Sequence, residues 1–452
     1  MLAAIGAASI DDLFAPIPAD LQIRGELDIP EAHDQIRLMR RAVGLAARNA
    51  DAQSHPCFLG AGIYDHYVPP TVGAITGRSE FYTSYTPYQP EVSQGSLQSI
   101  YEFQTLIAEL YGMDIANASM YDASTGLGEA AIMAADLTGR KTVLALASLH
   151  PSALEVMRTY LRHLGIALEI VPADDGVGDL QRLKAAASGL AAAIVVQHPN
   201  FYGNFEDMAA IGDLARKHGA LLIASVDPIS LGLTAPPGEY GVDIAVGEGQ
   251  SLGCPMGFGG PLLGLFACKN EYMRRLPGRI VGATRDIEGK PAYVMTLRTR
   301  EQDIRRERAT SNICTNVALY ALAAAVYLAT MGKQGMRQVA ELCVQKAHYA
   351  ARRIGSLDGY ALSYPGAKFF KEFSVACPIP ARAVNDALWR RGIIGGYAAG
   401  ERELLIAVTE QRTREEIDAL VDGLAAAAQE FGTSERNGAA HAAASSRSTA
   451  AV

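Results

Sequence analysis

Four residues in YDASTGLGEAAIMA (121–134) could do chemistry together: Asp122, Ser124, Thr125 and Gly126 stand just before a helical run, where hydroxyls and free backbone amides suit a phosphate. The same spacing also fits an ordinary helix cap, and the local pattern does not choose between the two. Asp227 directly follows the apolar run ALLIASV. A buried carboxylate at a strand end can pair with a protonated ring nitrogen and keep an electron sink electron-poor, and an Asp-Pro turn explains it equally well. A third stretch, VDIAVGEGQSLGCPMGFGGPLLGLFAC (242–268), reads as strand, glycine-rich loop and strand. Its glycines allow close backbone approach to a ligand or to a neighbouring subunit. His150 and His198 also follow strand candidates, at ASLHP and QHPN. There an imidazole could stack on a cofactor ring, act as acid or base, or serve as a hydrogen-bonded structural group.

These residues matter because of what must hold them. From about Lys141 onward, short apolar runs (KTVLAL, ALEIVP, AAAIVVQ, ALLIASV, VDIAV) alternate with helical patterns, which predicts a mostly parallel sheet covered on both faces. In such sheets ligands bind beyond the carboxyl ends of the strands, where Asp227 and the two histidines fall. The expected architecture is an α/β protein with N-terminal arm and loops over 1–95, a large domain over 96–330, a smaller α/β domain over 331–430 and a disordered tail over 431–452. The small domain is expected to carry EFSVAC and ELLIAVT as strands, with helices at 381–391 and 413–429. Thr413 and Glu416 form a candidate capping box for the last helix.

Composition narrows the field. The 452 residues are 49% hydrophobic, enough for a large core, and no apolar run reaches the roughly 18 residues of a membrane span. No secretory leader is evident at the N-terminus, so a cytoplasmic location is expected. The net charge of -8 offers no basic field for nucleic acid. The arginine-rich run RTREQDIRRER (298–308) is an exception, either a solvated face or an anchor for anionic groups and a partner subunit. Six cysteines lie far apart without a Cys-x-x-Cys pair, so packed thiols are expected rather than a metal or redox site.

Longer segments add a resemblance. MLAAIGAASIDDLF at the start, FLGAGIYDHYVPP (58–70), EFYTSYTPYQPEVSQGSLQSIYEFQTLIAELYGMDIANASMYDAST (80–125), VGEGQSLGCPMGFGGP (246–261) and REQDIRRERATSNICTN (300–316) are similar to the P-protein family of the glycine cleavage system, a glycine dehydrogenase (decarboxylating). The resemblance is to the first subunit of its two-subunit form and spans nearly the whole chain. It implies a fold-type-I pyridoxal-phosphate architecture in which subunit 2 carries the Schiff-base lysine, in an assembly of two copies of each. The implied reaction decarboxylates glycine and passes the aminomethyl group to the lipoyl arm of the H-protein.

The residues themselves offer a check. The glycine-rich segment where such a fold places its lysine reads GEGQSLG, with Gln250 near the expected position, and no lysine occurs between Lys217 and Lys269. Without an amine there, this chain alone cannot hold the cofactor covalently. Lys269 fits a surface strand end better than a nucleophile. The resemblance also implies that the chain lends residues to its partner: Tyr85, Tyr88 and Gln94 to the glycine pocket, and Arg308, Thr310, Ser311 and Asn312 to the cofactor phosphate. Asp122, Ser124, Thr125, His150, Asp227 and Gln250 would then be remnants of a site in this chain. Two other readings stand beside this one: a self-sufficient pyridoxal-phosphate aminotransferase or decarboxylase, and a scaffold subunit that lends no atoms to the site.

Overall fold

The computed structural model describes residues 1–23 and 25–448, with side chains up to Phe431. Two compact units divide the chain, Met1–Asp51 and Ala52–Val452. In the first, two 3-10 turns precede helix α1 (Gln35–Ala46), which starts where the Asp34 carboxylate accepts a hydrogen bond from the Arg37 N–H. None of its helical elements contains a buried residue. The loops after Asp51, read from sequence as part of one N-terminal arm with the first 51 residues, belong to the second unit.

That unit opens with helices α2 (Pro70–Thr76), α3 (Ser79–Tyr82) and α4 (Gln94–Tyr111). α4 ends at Gly112, whose positive φ of 62° gives the left-handed cap that glycine adopts without a Cβ penalty. Next come β1 (Ile115–Ala116), α5 (Ala123–Thr138), β2 (Thr142–Leu146), α6 (Pro151–Arg162), β3 (Ala167–Val171), α7 (Leu180–Ala186), β4 (Ala191–His198), α8 (Met208–His218), β5 (Leu221–Val226), β6 (Ile244–Glu248) and β7 (Gly264–Cys268). They form one seven-stranded sheet in the order β1-β7-β6-β5-β4-β2-β3. β2 to β6 are mutually parallel, and β7 and β1 close one edge antiparallel. The near-continuous burial of β2, β4, β5 and β6 follows from helices on both faces.

A hairpin of β8 (Ile280–Arg285) and β9 (Pro291–Thr296) then leads through the short α9 (Gln302–Arg305) to the long α10 (Ala318–Gly355), which is broken at Gly332 (φ 57°, ψ −173°). The main hydrophobic cluster reaches Cys343 on α10, and a second begins at Ala347 and fills the small domain. There β10 (Ala361–Leu362), β11 (Glu372–Ala376), β12 (Tyr397–Gly400) and β13 (Glu403–Ala407) make an antiparallel sheet in the order β10-β11-β13-β12. α11 (Ala381–Trp389) and α12 (Arg414–Ser448) pack with it. The expected capping box is formed: the Glu416 N–H donates to the Thr413 hydroxyl and the Thr413 N–H to the Glu416 carboxylate. The helix that it opens runs on to Ser448, through most of the tail read as disordered, as its many alanines favour. Residues 449–452 of that tail lie outside the described residues. No helix among the described residues is long and apolar enough to cross a membrane. All six cysteines are free; Cys314 is exposed rather than packed.

Candidate functional site

The parallel strands deliver their carboxyl ends to one edge of the sheet, and a cavity of about 450 Å³ opens there. Asp122, Ser124, His150 and Asp227 all line it, together with Tyr64, Glu248, Lys371 and Glu372. Four of the six residues read as remnants of one site are thus brought together. The other two are close by in structure: Thr125 in the first turn of α5, and Gln250 two residues past β6.

All of these groups except Ser124 have bonds within the chain. Asp122 is the N-cap of α5, accepting from the Thr125 N–H at 2.8 Å while the Thr125 hydroxyl receives the Asp122 N–H. The capping reading of this stretch is therefore realised. One free amide of the same turn, that of Ala123, donates to Glu248 Oε2 at 3.2 Å. The other Glu248 oxygen accepts from the N–H groups of Leu263 (2.9 Å) and Gln250 (3.1 Å). Burial pushes the Glu248 carboxyl up to about 7, against the three backbone donors that favour its charge.

Gln250 is buried and satisfied on both sides. Its carbonyl accepts from the Tyr64 N–H at 3.0 Å, and its amide donates to the carbonyls of Tyr64 (3.1 Å) and Cys254 (2.7 Å). The residue at the expected lysine position is thus a clip that holds the 61–64 loop. Lys269 pairs with Asp243 at the end of β7, away from the cavity, as its sequence position suggested.

One lysine does line the cavity. Lys371, at the entrance to β11 and only 2% exposed, places Nζ 2.7 Å from Asp227 Oδ2 and 2.9 Å from His66 Nε2. The ammonium also lies 3.5 Å from the centroid of the Tyr64 ring, a cation–π contact in a desolvated setting. Because an ammonium has only donors, His66 accepts at Nε2 and carries its proton on Nδ1, which faces Glu410 Oε2 at 2.7 Å. A buried chain Asp227–Lys371–His66–Glu410 therefore links the end of β5 to the small domain. Beside it, Glu372 accepts from the Tyr64 hydroxyl (2.6 Å) and the Ala61 N–H (2.7 Å), and burial pushes its carboxyl up to about 7. Asp227 also caps its own turn, taking the Ile229 N–H on Oδ1, so the Asp-Pro turn and the cation partner are both real.

The histidines read from sequence are fixed differently. His150 caps α6 by accepting the Ser152 N–H on Nδ1, gives Nε2 to the Ala61 carbonyl, and sits edge-on to Phe201. Burial lowers its pKa, which keeps the ring neutral. His198 accepts the Glu206 N–H and packs against Phe205 and Tyr240; burial pushes it down to about 4. It does not line the cavity, so its role is the structural one.

The candidates for a partner's site lie elsewhere, around the hairpin β8–β9. Tyr85 is 79% exposed and Tyr88 47%. The Tyr88 hydroxyl accepts from Arg279 at 3.0 Å, and the guanidinium groups of Arg279 and Arg298 flank its ring at 5.1 and 5.3 Å. Gln94 faces inward: its carboxamide exchanges hydrogen bonds with both backbone groups of Tyr293 and so ties α4 to β9. Arg308 and Asn312 are exposed, with Thr310 and Ser311 half-buried between them. The following residues are anchored firmly: Arg279 donates to the Thr315 hydroxyl and the Cys314 carbonyl, the Cys314 N–H to the Tyr121 hydroxyl, and Asn316 to the Ala118 carbonyl. An exposed, rigidly held turn of arginine, hydroxyls and amide is suited to an anion presented from outside the chain.

A mostly parallel seven-stranded sheet, a cavity at its carboxyl edge and a small domain over that edge define the fold-type-I class of pyridoxal-phosphate enzymes. Within that class, the chain belongs to the glycine cleavage system P-protein family, whose family model matches residues 1–424. It is 51% identical over 430 residues to a probable glycine dehydrogenase (decarboxylating) subunit 1 of Chlorobium limicola, covering 94% of this chain and 97% of that one. A protein described in the same words from Moorella thermoacetica is 50% identical, covering 93% and 95%. Among solved structures, a glycine decarboxylase (P-protein) of the glycine cleavage system in inhibitor-bound form superposes with a TM-score of 0.89 at 44% identity, covering 94% and 97%. A Burkholderia pseudomallei sphingosine-1-phosphate lyase shares the fold at 15% identity, with a TM-score of 0.67 over 94% and 98%.

Sequence reasoning missed Lys371, Glu248, Tyr64, His66 and Glu410. The only local signal for Lys371 was a lone lysine between FF and the strand EFSVAC.

Proposed function

We propose that this chain is the subunit without the Schiff-base lysine in a two-subunit glycine decarboxylase. Pyridoxal phosphate is held covalently by subunit 2, and this chain completes that site from outside. The observation that carries the reading is Gln250: a carboxamide bonded on both sides stands where the amine would be, and the one lysine that lines the cavity is locked on Asp227. The assembled enzyme breaks the bond from the glycine α-carbon to its carboxylate. The aminomethyl group then bonds to one sulfur of the lipoyl disulfide on the H-protein, whose other sulfur leaves with a proton.

In this reading Tyr85 and Tyr88 wall the glycine pocket, where they exclude larger amino acids by bulk. Gln94 supports them by holding α4 against β9. Arg308, Thr310, Ser311 and Asn312 face the cofactor phosphate. Two copies of each subunit form the working assembly, in the cytoplasm. Asn312→Ala in that assembly is expected to weaken cofactor retention about tenfold, as loss of a hydrogen bond to a charged group does, and Tyr88→Phe to lower glycine turnover by a similar factor. Cofactor titration and a glycine exchange assay measure these. Unchanged values for both variants, with assembly intact, would replace this reading by that of a scaffold.

A further inference from the structure

The cavity at the carboxyl edge of the sheet has the position of a cofactor site but not a free one. We infer that Lys371 and Glu248 supply, from within the chain, the two partners that a bound pyridoxal phosphate would bring: the Lys371 ammonium in place of a protonated ring nitrogen on Asp227, and the Glu248 carboxyl oxygens in place of those of a phosphate at the N-terminus of α5. The site is its own ligand, and this keeps it closed.

Three independent placements carry the inference. Asp227, the one carboxylate at the end of β5, already has its cation at 2.7 Å. That cation is itself boxed in by His66 and the Tyr64 ring, so it has no slack to swing away and admit a ring. At the other end of the cavity the Ala123 amide, the kind of donor that would meet a phosphate, is taken by Glu248. Asp122 and Thr125 of that turn are used in the capping box, which leaves Ser124 as its one polar side chain not bonded within the chain. Between the two ends, Gln250 binds backbone on either side. Pyridoxal phosphate therefore does not fit the residues present, for reasons that go beyond a missing amine.

The arrangement has a mechanical consequence. Asp227 belongs to the large domain, Lys371 and Glu410 to the small one, and His66 to the loop between α2 and the first residues of the second unit. An ion pair that in a loaded enzyme would be made with the cofactor is here made across the two domains. The small domain is thus held over the sheet edge without any cofactor, which gives the partner a fixed surface to assemble against.

The inference concerns this chain's own cavity and does not depend on which residues reach the partner's site. It is tested on the full-length chain with pyridoxamine phosphate, which has the ring nitrogen and the phosphate but no aldehyde to react with surface lysines. By calorimetry, wild type is expected to show no saturable binding up to millimolar concentration. The Lys371→Ala/Glu248→Ala chain is expected to bind at least tenfold more tightly, with one molecule per chain. In parallel, ethylammonium should raise the Tm of Lys371→Ala by several degrees, by refilling the vacated cation position, and leave wild type unmoved relative to the same concentration of sodium. Saturable binding by wild type, or neither effect in folded variants, overturns the inference. Should removal of Lys371 prevent folding, Glu248→Ala alone decides: inorganic phosphate must raise its Tm and not that of wild type, and no difference between the two refutes the proposal.

Discussion

Arg279→Met is expected to destabilise the chain by about 3–5 kcal/mol, the usual result of removing one partner of a buried ion pair. The Arg279 side chain is 4% exposed and its Nε lies 3.5 Å from Glu301 Oε2, whose side chain is 9% exposed. That separation is an ion pair without a good hydrogen bond, so Glu301 depends on the arginine's charge. Burial already raises the Glu301 carboxyl, and Arg279 is the main group that opposes the rise. The same guanidinium holds the Tyr88 hydroxyl, the Thr315 hydroxyl and the Cys314 carbonyl, all on segments expected to face the partner. Arg279 is therefore a positioning residue, and its loss should weaken cofactor retention in the assembled enzyme as well as stability. Urea unfolding checks the first effect. Adding Glu301→Gln to Arg279→Met should recover part of the loss by removing the stranded charge, and no recovery would show that the ion pair is not the cause.

Gly203→Ala is expected to be as damaging, for steric reasons. Gly203 sits at φ +83° between Asn200 and the start of β11, and a Cβ there would lie 1.9 Å from the Glu372 carbonyl oxygen. Neither backbone can yield alone, because the Gly203 carbonyl accepts the Phe370 N–H at 3.1 Å. The clash would push Lys371 and Glu372 off Asp227 and Tyr64, so a cost above about 3 kcal/mol is expected, at the severe end for a single substitution. Gly139→Ala is the control: it has a similar positive φ of 67° but nothing within 4 Å of the added Cβ, so only the left-handed backbone penalty of about 1 kcal/mol should remain. Equal Tm losses for the two variants would contradict the steric account.

The large sheet was legible because buried parallel strands leave near-continuous apolar runs. KTVLAL, AAAIVVQ and ALLIASV became β2, β4 and β5 almost residue for residue. β8 and β9 were not legible: their mixed burial and the polar turn between them leave neither an apolar run nor a clean alternation. In the site, Asp227 and Gln250 could be picked out because each follows a strand at the functional edge. Their meaning could not, since that of Gln250 depends on the distant loop at Tyr64 and that of Asp227 on Lys371, which comes to it only through the packing of one domain on the other. A capping box and a phosphate cup look alike in YDASTG, and only the partners of Asp122, Thr125 and Ala123 separate them.

The claim that this chain is the half of a shared enzyme without the Schiff-base lysine is tested most directly by glycine–bicarbonate carbon exchange, with lipoylated H-protein and added pyridoxal phosphate. This chain alone, subunit 2 alone and the two mixed are compared. The account predicts exchange only in the mixture. Exchange by this chain alone would contradict it, because an amine of this chain would then have to hold the cofactor, although Gln250 stands at the expected position and Lys371 is bound to Asp227.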